Sequence, residues 1–264
     1  MRGLLFSYIA MAIVAASCHT PEAPPEKKAV VTEAELKDFI TNPQHTPEAL
    51  RRIQLDSILA DVAKDSVAFA VAINLLSPPL SNPNSPYRNE ELYIQLLNAQ
   101  LHSPFTDSLS KSVFRERLLL LMQNRPGDAA NDFRYITPVG RERTMSDTKA
   151  EFTLLFFYNP ECEACKEMKA TLKHSAPIHH ALKTGKLALL AIYTDKDQTV
   201  WRRHLPENPP AWINGSDIDE YLYKNKLYDL RAIPTLYLLD REKRVLLKDC
   251  LDIKKIEEKI WGPE

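Results

Sequence analysis

The chain has 264 residues, 44% hydrophobic and 26% charged, enough for two globular domains with buried cores. Its 34 Lys and Arg against 35 Asp and Glu leave a net charge of −1, which excludes the concentrated basic surface that nucleic-acid binding needs. With 6 Gly against 19 Pro and no Gly-rich phosphate loop or other nucleotide signature, no cofactor is expected.

Residues 1–18 read MRGLLFSYIAMAIVAASC, one Arg followed by a mostly apolar run and then Ala15-Ala16-Ser17 before Cys18. The run is too short for a comfortable bilayer span, which needs about 20 residues, and suits an export signal. A signal ending in small residues directly before Cys resembles a bacterial lipobox, with Ala15 in place of the usual Leu. That resemblance implies removal of residues 1–17 and a lipid on Cys18, hence a membrane anchor; the alternative is a plain signal peptide with an incidental Cys. In both cases the mature chain is expected outside the cytoplasm, where a dithiol works against an oxidising background. Residues 18–31 are Pro-rich, charged and aperiodic, as a tether would be.

From 32 to 124 the signals are helical. Thr32-Glu33-Ala34-Glu35 matches a capping box ahead of Leu36, Phe39 and Ile40. Thr46-Pro47-Glu48 offers a cap and an N1 proline before Leu50, Ile53, Ile58 and Leu59. A third run, Val67–Leu76, is expected to stop at Ser77-Pro78-Pro79, before the breaker-rich loop LSNPNSPYRN. Two more helices fit 90–101 and 106–123, giving a small all-α domain of four or five helices, with no internal repeat and no Cys. His45 and His102 lie at helix boundaries and read as solvated surface residues. Nothing in this segment reveals its role.

Asn124-Arg125-Pro126-Gly127 marks a domain boundary, with residues 125–264 forming the second domain. Phe133, Tyr135 and Thr137 alternate as in a short strand, and Pro138-Val139-Gly140 turns the chain toward a second near Thr144-Met145. Residues 152–158 are a continuous apolar strand of the kind buried on both faces. Residues 166–182 read as one helix and 187–193 as a second buried strand. A mostly helical excursion over 196–230 contains Trp201, Trp212 and the turn signal Asn214-Gly215. Strands 235–239 and 243–247 form a hairpin around Asp240-Arg241-Glu242, and an amphipathic helix closes the chain with Ile253, Ile256 and Ile260 on one face. The order specifies an α/β layer with one antiparallel edge.

The chemistry centres on FTLLFFYNPECEACKEM, where Cys162 and Cys165 sit at the junction of strand and helix. A Cys at a helix N-terminus meets free backbone N–H groups and the positive end of the helix dipole, which favour its thiolate. The two-residue spacer keeps the second thiol within one turn. Cys162 can therefore attack a substrate disulfide and Cys165 can resolve the mixed disulfide. Cys250, in LLKDCLDI, reads as a half-buried apolar filler, a reactive third thiol being the alternative.

These residues resemble the thioredoxin superfamily, and most of all the thioredoxin-like domains of membrane-anchored thiol–disulfide oxidoreductases. The resemblance rests on Phe156-Phe157-Tyr158 before CEAC, on Ile233-Pro234-Thr235 before TLYLLD, and on the lead-in from Gly127 to Asp132-Phe133. It implies a C-terminal thioredoxin-like fold, a cis bond before Pro234 facing the dithiol, and backbone hydrogen bonds from Ile233 to an extended substrate. Cys162 and Pro234 are 72 positions apart, which fits the helical insertion of the anchored subgroup. The arrangement is also similar to an uncharacterised family of Bacteroidetes lipoproteins with a helical N-terminal domain, through NPECEACKE and LYDLRAIPTLYLLD.

The pattern departs from the family around the dithiol. Glu161 replaces the usual Trp before the first Cys, Phe156 occupies the place of a buried acid, and Met168 stands where anchored relatives often have Glu, with Glu167 one earlier. No proton acceptor for Cys165 is assigned. Glu161 and Glu163 disfavour a Cys162 thiolate while Lys166 and Lys169 favour it.

The reading reached is a lipid-anchored extracytoplasmic reductase of protein disulfides. Its electrons would pass through the Cys162–Cys165 pair from a donor the sequence does not identify. One alternative is a partner-binding lipoprotein on a thioredoxin-like scaffold with little turnover. Another is a metal carrier using the dithiol with His174 and His179, although that spacing is shorter than a zinc finger needs. His204 reads as a surface residue, and Trp201, Trp212, Tyr221 and Tyr228 as core rather than a ligand cage.

Overall fold

The computed structural model describes residues 31–42 and 46–262. The signal segment, Cys18, nearly all of the tether and His45 lie outside the described residues.

The N-terminal domain contains α1 (Glu33–Thr41), α2 (Glu48–Val62), α3 (Ser66–Ser81), α4 (Glu90–His102) and α5 (Ser108–Leu121). Thr32 and Glu35 form the capping box of α1, while Asp65, Asn89 and Asp107 accept N-terminal amides of α3, α4 and α5. Leu36, Leu55, Ala72, Leu76, Leu92 and Leu96 meet in its core.

Helix α2 departs from expectation at both ends of its logic. Pro47 is itself the N-cap, and Thr46 makes no side-chain cap. Its buried stripe is Arg51, Leu55, Leu59 and Val62, which leaves Leu50 and Ile53 exposed. Arg51 takes the inner position because its stem packs inward while its guanidinium lies over the Phe39 ring and donates to the Phe39 carbonyl. Helix α3 likewise runs through Pro78 and Pro79 to Ser81: the lost N–H bonds fall in its last turn, and Leu80 is buried in the core.

The C-terminal domain is α/β. It contains β1 (Arg134–Ile136), β2 (Glu142–Thr144), β3 (Phe152–Tyr158), α6 (Glu163–His174), α7 (Ala176–Lys183), β4 (Leu187–Tyr193) and α8 (Gln198–His204). Then follow β5 (Ile213–Ser216), α9 (Tyr221–Lys224), β6 (Thr235–Leu239), β7 (Val245–Leu247) and α10 (Ile253–Trp261). The strands form one sheet in the order β2-β1-β5-β4-β3-β6-β7, with β3, β4 and β5 parallel and antiparallel pairing on both flanks. Strand β3 sits mid-sheet and sends Leu154, Phe156 and Tyr158 to one face and Leu155 and Phe157 to the other. This period-two alternation divides the core in two layers.

Three further expectations are corrected. The helix read over 166–182 is two, broken at Ser175, whose hydroxyl accepts the Ile178 amide and caps α7. The excursion over 196–230 is not mostly helical, because Asn214-Gly215 is no turn but the middle of β5, paired in parallel with Ala191-Ile192. Glycine is required there: a Cβ on Gly215 would lie 2.4 Å from Tyr135 Cδ2. The sheet also has two antiparallel flanks rather than one antiparallel edge.

The two domains are fastened by buried polar contacts. Arg117 on α5 donates to both oxygens of Asp229, and Lys248 meets Glu90 at 2.7 Å and the carbonyls of Leu121 and Gln123. At the boundary, Asn124 in a left-handed conformation (φ 52°) donates to the Leu227 carbonyl and accepts the Asn131 amide.

Candidate active site

The dithiol is positioned by the end of β3. Asn159 forms a tight turn in which its side-chain oxygen accepts the Glu161 amide at 2.9 Å and its carbonyl accepts the Cys162 amide at 3.1 Å. Cys162 is the N-cap of α6, extended in conformation and half-buried, and Cys165 lies one turn on, only 1% exposed. Both are free thiols in this structure.

Ile233-Pro234 comes from the start of β6, which pairs antiparallel with β3 and so brings residues 71 positions away to the same sheet end. The Ile233–Pro234 bond is cis, Pro234 is buried, and the Cys162 thiol donates to the Ile233 carbonyl at 3.6 Å. Thr235 closes the turn by donating to the Ala232 carbonyl at 2.8 Å. Cys162, Cys165, Ile233 and Pro234 are thus brought together.

Electrostatics separates the two thiols. Burial, reinforced by the hydrogen bond with Cys162, pushes the Cys165 thiol up to about 12. Opposing it are a hydrogen bond from the Asn159 backbone and, after it, the charge of Lys169, a residue the sequence already set among the groups favouring a thiolate at the dithiol. Lys169, one turn beyond Cys165 on α6, is 7% exposed and donates to Glu207 at 2.8 Å. That bond is the main reason the Glu207 carboxyl lies below its usual range. His204 Nδ1 meets the other Glu207 oxygen at 2.5 Å, so this histidine belongs to a network beside the dithiol helix rather than to open surface. The next residue, Asn208, is buried and donates to the Tyr158 hydroxyl at 3.0 Å, beneath the same helix. Phe156, at the place of a family acid, is instead sealed in the core against Tyr158 and Trp212. The four-residue spacing of Lys169 from Cys165 puts both on one helix face, while its partner Glu207, 38 residues on, carries no such signal.

The remaining candidates fall elsewhere. His174 and His179 are exposed and on different helices, and among the described residues no group of three or more His, Cys, Asp or Glu is placed to hold a metal ion. Cys250 is half-buried against the core, and burial raises its thiol. Trp201, Trp212 and Tyr228 are core. Tyr221 is half-buried under the Arg134 guanidinium. A hollow of about 890 Å³, lined by residues such as Lys149, Lys186 and Trp261, lies at the opposite end of β3 from the dithiol.

Comparison with known proteins matches both domains. A family described as a domain of unknown function (DUF5106) covers residues 26–124, and one described as thioredoxin-like covers residues 150–245. A thioredoxin-like protein from Bacteroides caccae is 33% identical, with 98% of this chain and 100% of that one covered and a TM-score of 0.73. The C-terminal domain of an uncharacterized protein from Bacteroides fragilis is 43% identical over 52% of this chain and 97% of its own, with a TM-score of 0.50. No curated protein matches the chain.

Proposed function

We propose that this chain, which belongs to the thioredoxin-like family, is a thiol–disulfide oxidoreductase that reduces protein disulfides through Cys162 and Cys165. The observation that carries the reading is the pairing of a half-exposed Cys162 thiol, 3.6 Å from the Ile233 carbonyl beside a cis proline, with a buried Cys165 one turn behind it.

The Cys162 thiolate attacks one sulfur of a substrate disulfide, forming a mixed disulfide and releasing the other sulfur as a thiolate that takes up a proton. Cys165 then loses its proton and attacks Cys162 Sγ, so that the Cys162–Cys165 bond forms as the mixed disulfide breaks and the second substrate thiol leaves. Two electrons pass to the substrate, and a dithiol donor must restore the enzyme. Lys169 eases the resolving step, since its positive charge opposes the burial that keeps Cys165 protonated. Ile233 and Pro234 align an extended substrate segment along the dithiol.

The export-signal and lipobox-like pattern at 1–18 supports a site of action outside the cytoplasm, with a lipid on Cys18 as the membrane anchor. Insulin reduction tests the activity: the native chain should turn over and Cys162→Ser should not. Equal, negligible rates in both would refute it. The partner-binding alternative draws on Leu109 and Val113, exposed a turn apart on α5. It requires a Cys162–Cys165 disulfide that glutathione and thioredoxin fail to reduce.

A further inference from the structure

The helical domain reaches the dithiol through the loop 82–89 between α3 and α4. A cavity of about 90 Å³ separates them, with Pro83, Asn84 and Arg88 on one side and Ala164, Ile233 and Pro234 on the other. Ala164 is one of the two residues between the cysteines, so the cavity lies beside the dithiol.

The loop is a fixed wall. Its ends are tied by the Asn89 amide donating to the Leu80 carbonyl at 3.1 Å, and its turns by Ser85 to Asn82 and Arg88 to Ser85. Pro83 and Pro86 restrict what freedom is left. Arg88 then crosses to Asp249 at 2.5 Å, both side chains largely covered, while Arg117 anchors the same domain to Asp229. Asp229 and Asp249 both line the cavity, and arginines already neutralise both.

We propose that this loop forms the second wall of the substrate groove. The helical domain thereby confines Cys162 to extended polypeptide segments that pass between the loop and Ile233-Pro234 and seat one small neutral side chain in the cavity. This rests on the oxidoreductase reading above and gives its substrate class. The size argument is direct: a water needs about 10–15 Å³ of such space, so 90 Å³ admits one side chain. A helix, at about 10 Å across, does not fit. The charge argument follows from the neutralised carboxylates, because a charged side chain would be desolvated there without a free partner.

The test compares the full chain with Asn84→Trp, which fills the cavity from the loop side. Two substrates are used: an unstructured peptide disulfide with Ala beside its cysteine, and the small disulfide dithiobis(nitrobenzoate). The ratio of kcat/KM for peptide to that for the small disulfide should fall at least tenfold in Asn84→Trp, through KM. In the native chain, peptides with Lys or Asp in place of that Ala should be poorer substrates. If the indole prevents folding, Asn84→Leu is read the same way. An unchanged ratio in an active, folded variant overturns the wall. A native chain that reduces neither substrate overturns the oxidoreductase reading instead, and the wall with it.

Discussion

Lys169 Nζ donates to Glu207 Oε2 at 2.8 Å, one helical turn beyond Cys165, and its side chain is only 9% exposed. A buried cation so placed lowers the cost of a Cys165 thiolate, in a site whose nearby strand residue Phe156 is apolar and fully buried. Lys169→Met is expected to slow resolution of the mixed disulfide about tenfold, the equivalent of one pKa unit or about 1.4 kcal/mol. Lys169→Arg should keep most of the rate. Acid quenching during turnover gives the population of the mixed disulfide, and the pH profile of its decay should move upward in the Met variant alone. An unmoved profile would assign Lys169 to structure.

The two thiols should also differ toward alkylation. Cys162 is half-exposed, whereas Cys165 is 1% exposed and pushed up to about 12. Iodoacetamide at pH 7.5 is expected to label Cys162 first in the reduced protein and to leave Cys165 unmodified in Cys162→Ser until guanidinium unfolds the chain. Peptide mapping by mass spectrometry reads both sites. Rapid labelling of Cys165 in folded Cys162→Ser would contradict the burial argument.

The parts legible in the sequence are those with a local cause. A seven-residue run rich in aromatic residues and closed by Asn159-Pro160 fits a buried strand, and the dithiol follows it within the same short stretch, so β3 and the start of α6 were readable. Pro234 was readable through family resemblance. What escaped depends on partners far along the chain. Strand β5 is four residues long and carries Asn-Gly, a turn signal, and only pairing to β4 makes it a strand. Lys169 can be placed near the dithiol from its helix spacing, but Glu207 lies 38 residues further on and nothing local distinguishes it from a solvated charge. The inward face of α2 was misjudged because Arg51 counts as polar by type, yet its stem is buried. The role of loop 82–89 is invisible until Arg88 finds Asp249.

The inter-domain joint makes its own stability claim. Asp229 is held by Arg117, 12% exposed, and by Arg231 at 41%. Breaking a buried pair costs about 3–5 kcal/mol, and Arg231 remains on the carboxylate, so Arg117→Ala is expected to cost about 2 kcal/mol. The cost should fall on domain docking. Limited proteolysis should then cut near Asn124–Asp128 in the variant at protease levels that leave the native chain intact. Unaltered cleavage and an unaltered urea midpoint would show that the ion pair does not fasten the domains.

Asp217 gives the fold a pH dependence of known sign. It is 2% exposed, and burial raises its carboxyl from the ordinary 3.8 to about 6, with Glu220 and Asp219 adding to the shift against amide hydrogen bonds from Leu222 and Tyr221. The folded state therefore holds this proton more tightly than the unfolded chain. Its contribution to stability is fully present below pH 3.8 and is lost as pH rises through about 6. The gap corresponds to about 3 kcal/mol at most. Asp217→Asn keeps an oxygen to accept the Leu222 amide but cannot ionise. Urea unfolding at steps from pH 4 to pH 7.5 should show the native chain losing stability relative to Asp217→Asn across that window, with the difference level above it. Parallel curves for the two proteins would mean that Asp217 titrates alike in the folded and unfolded states.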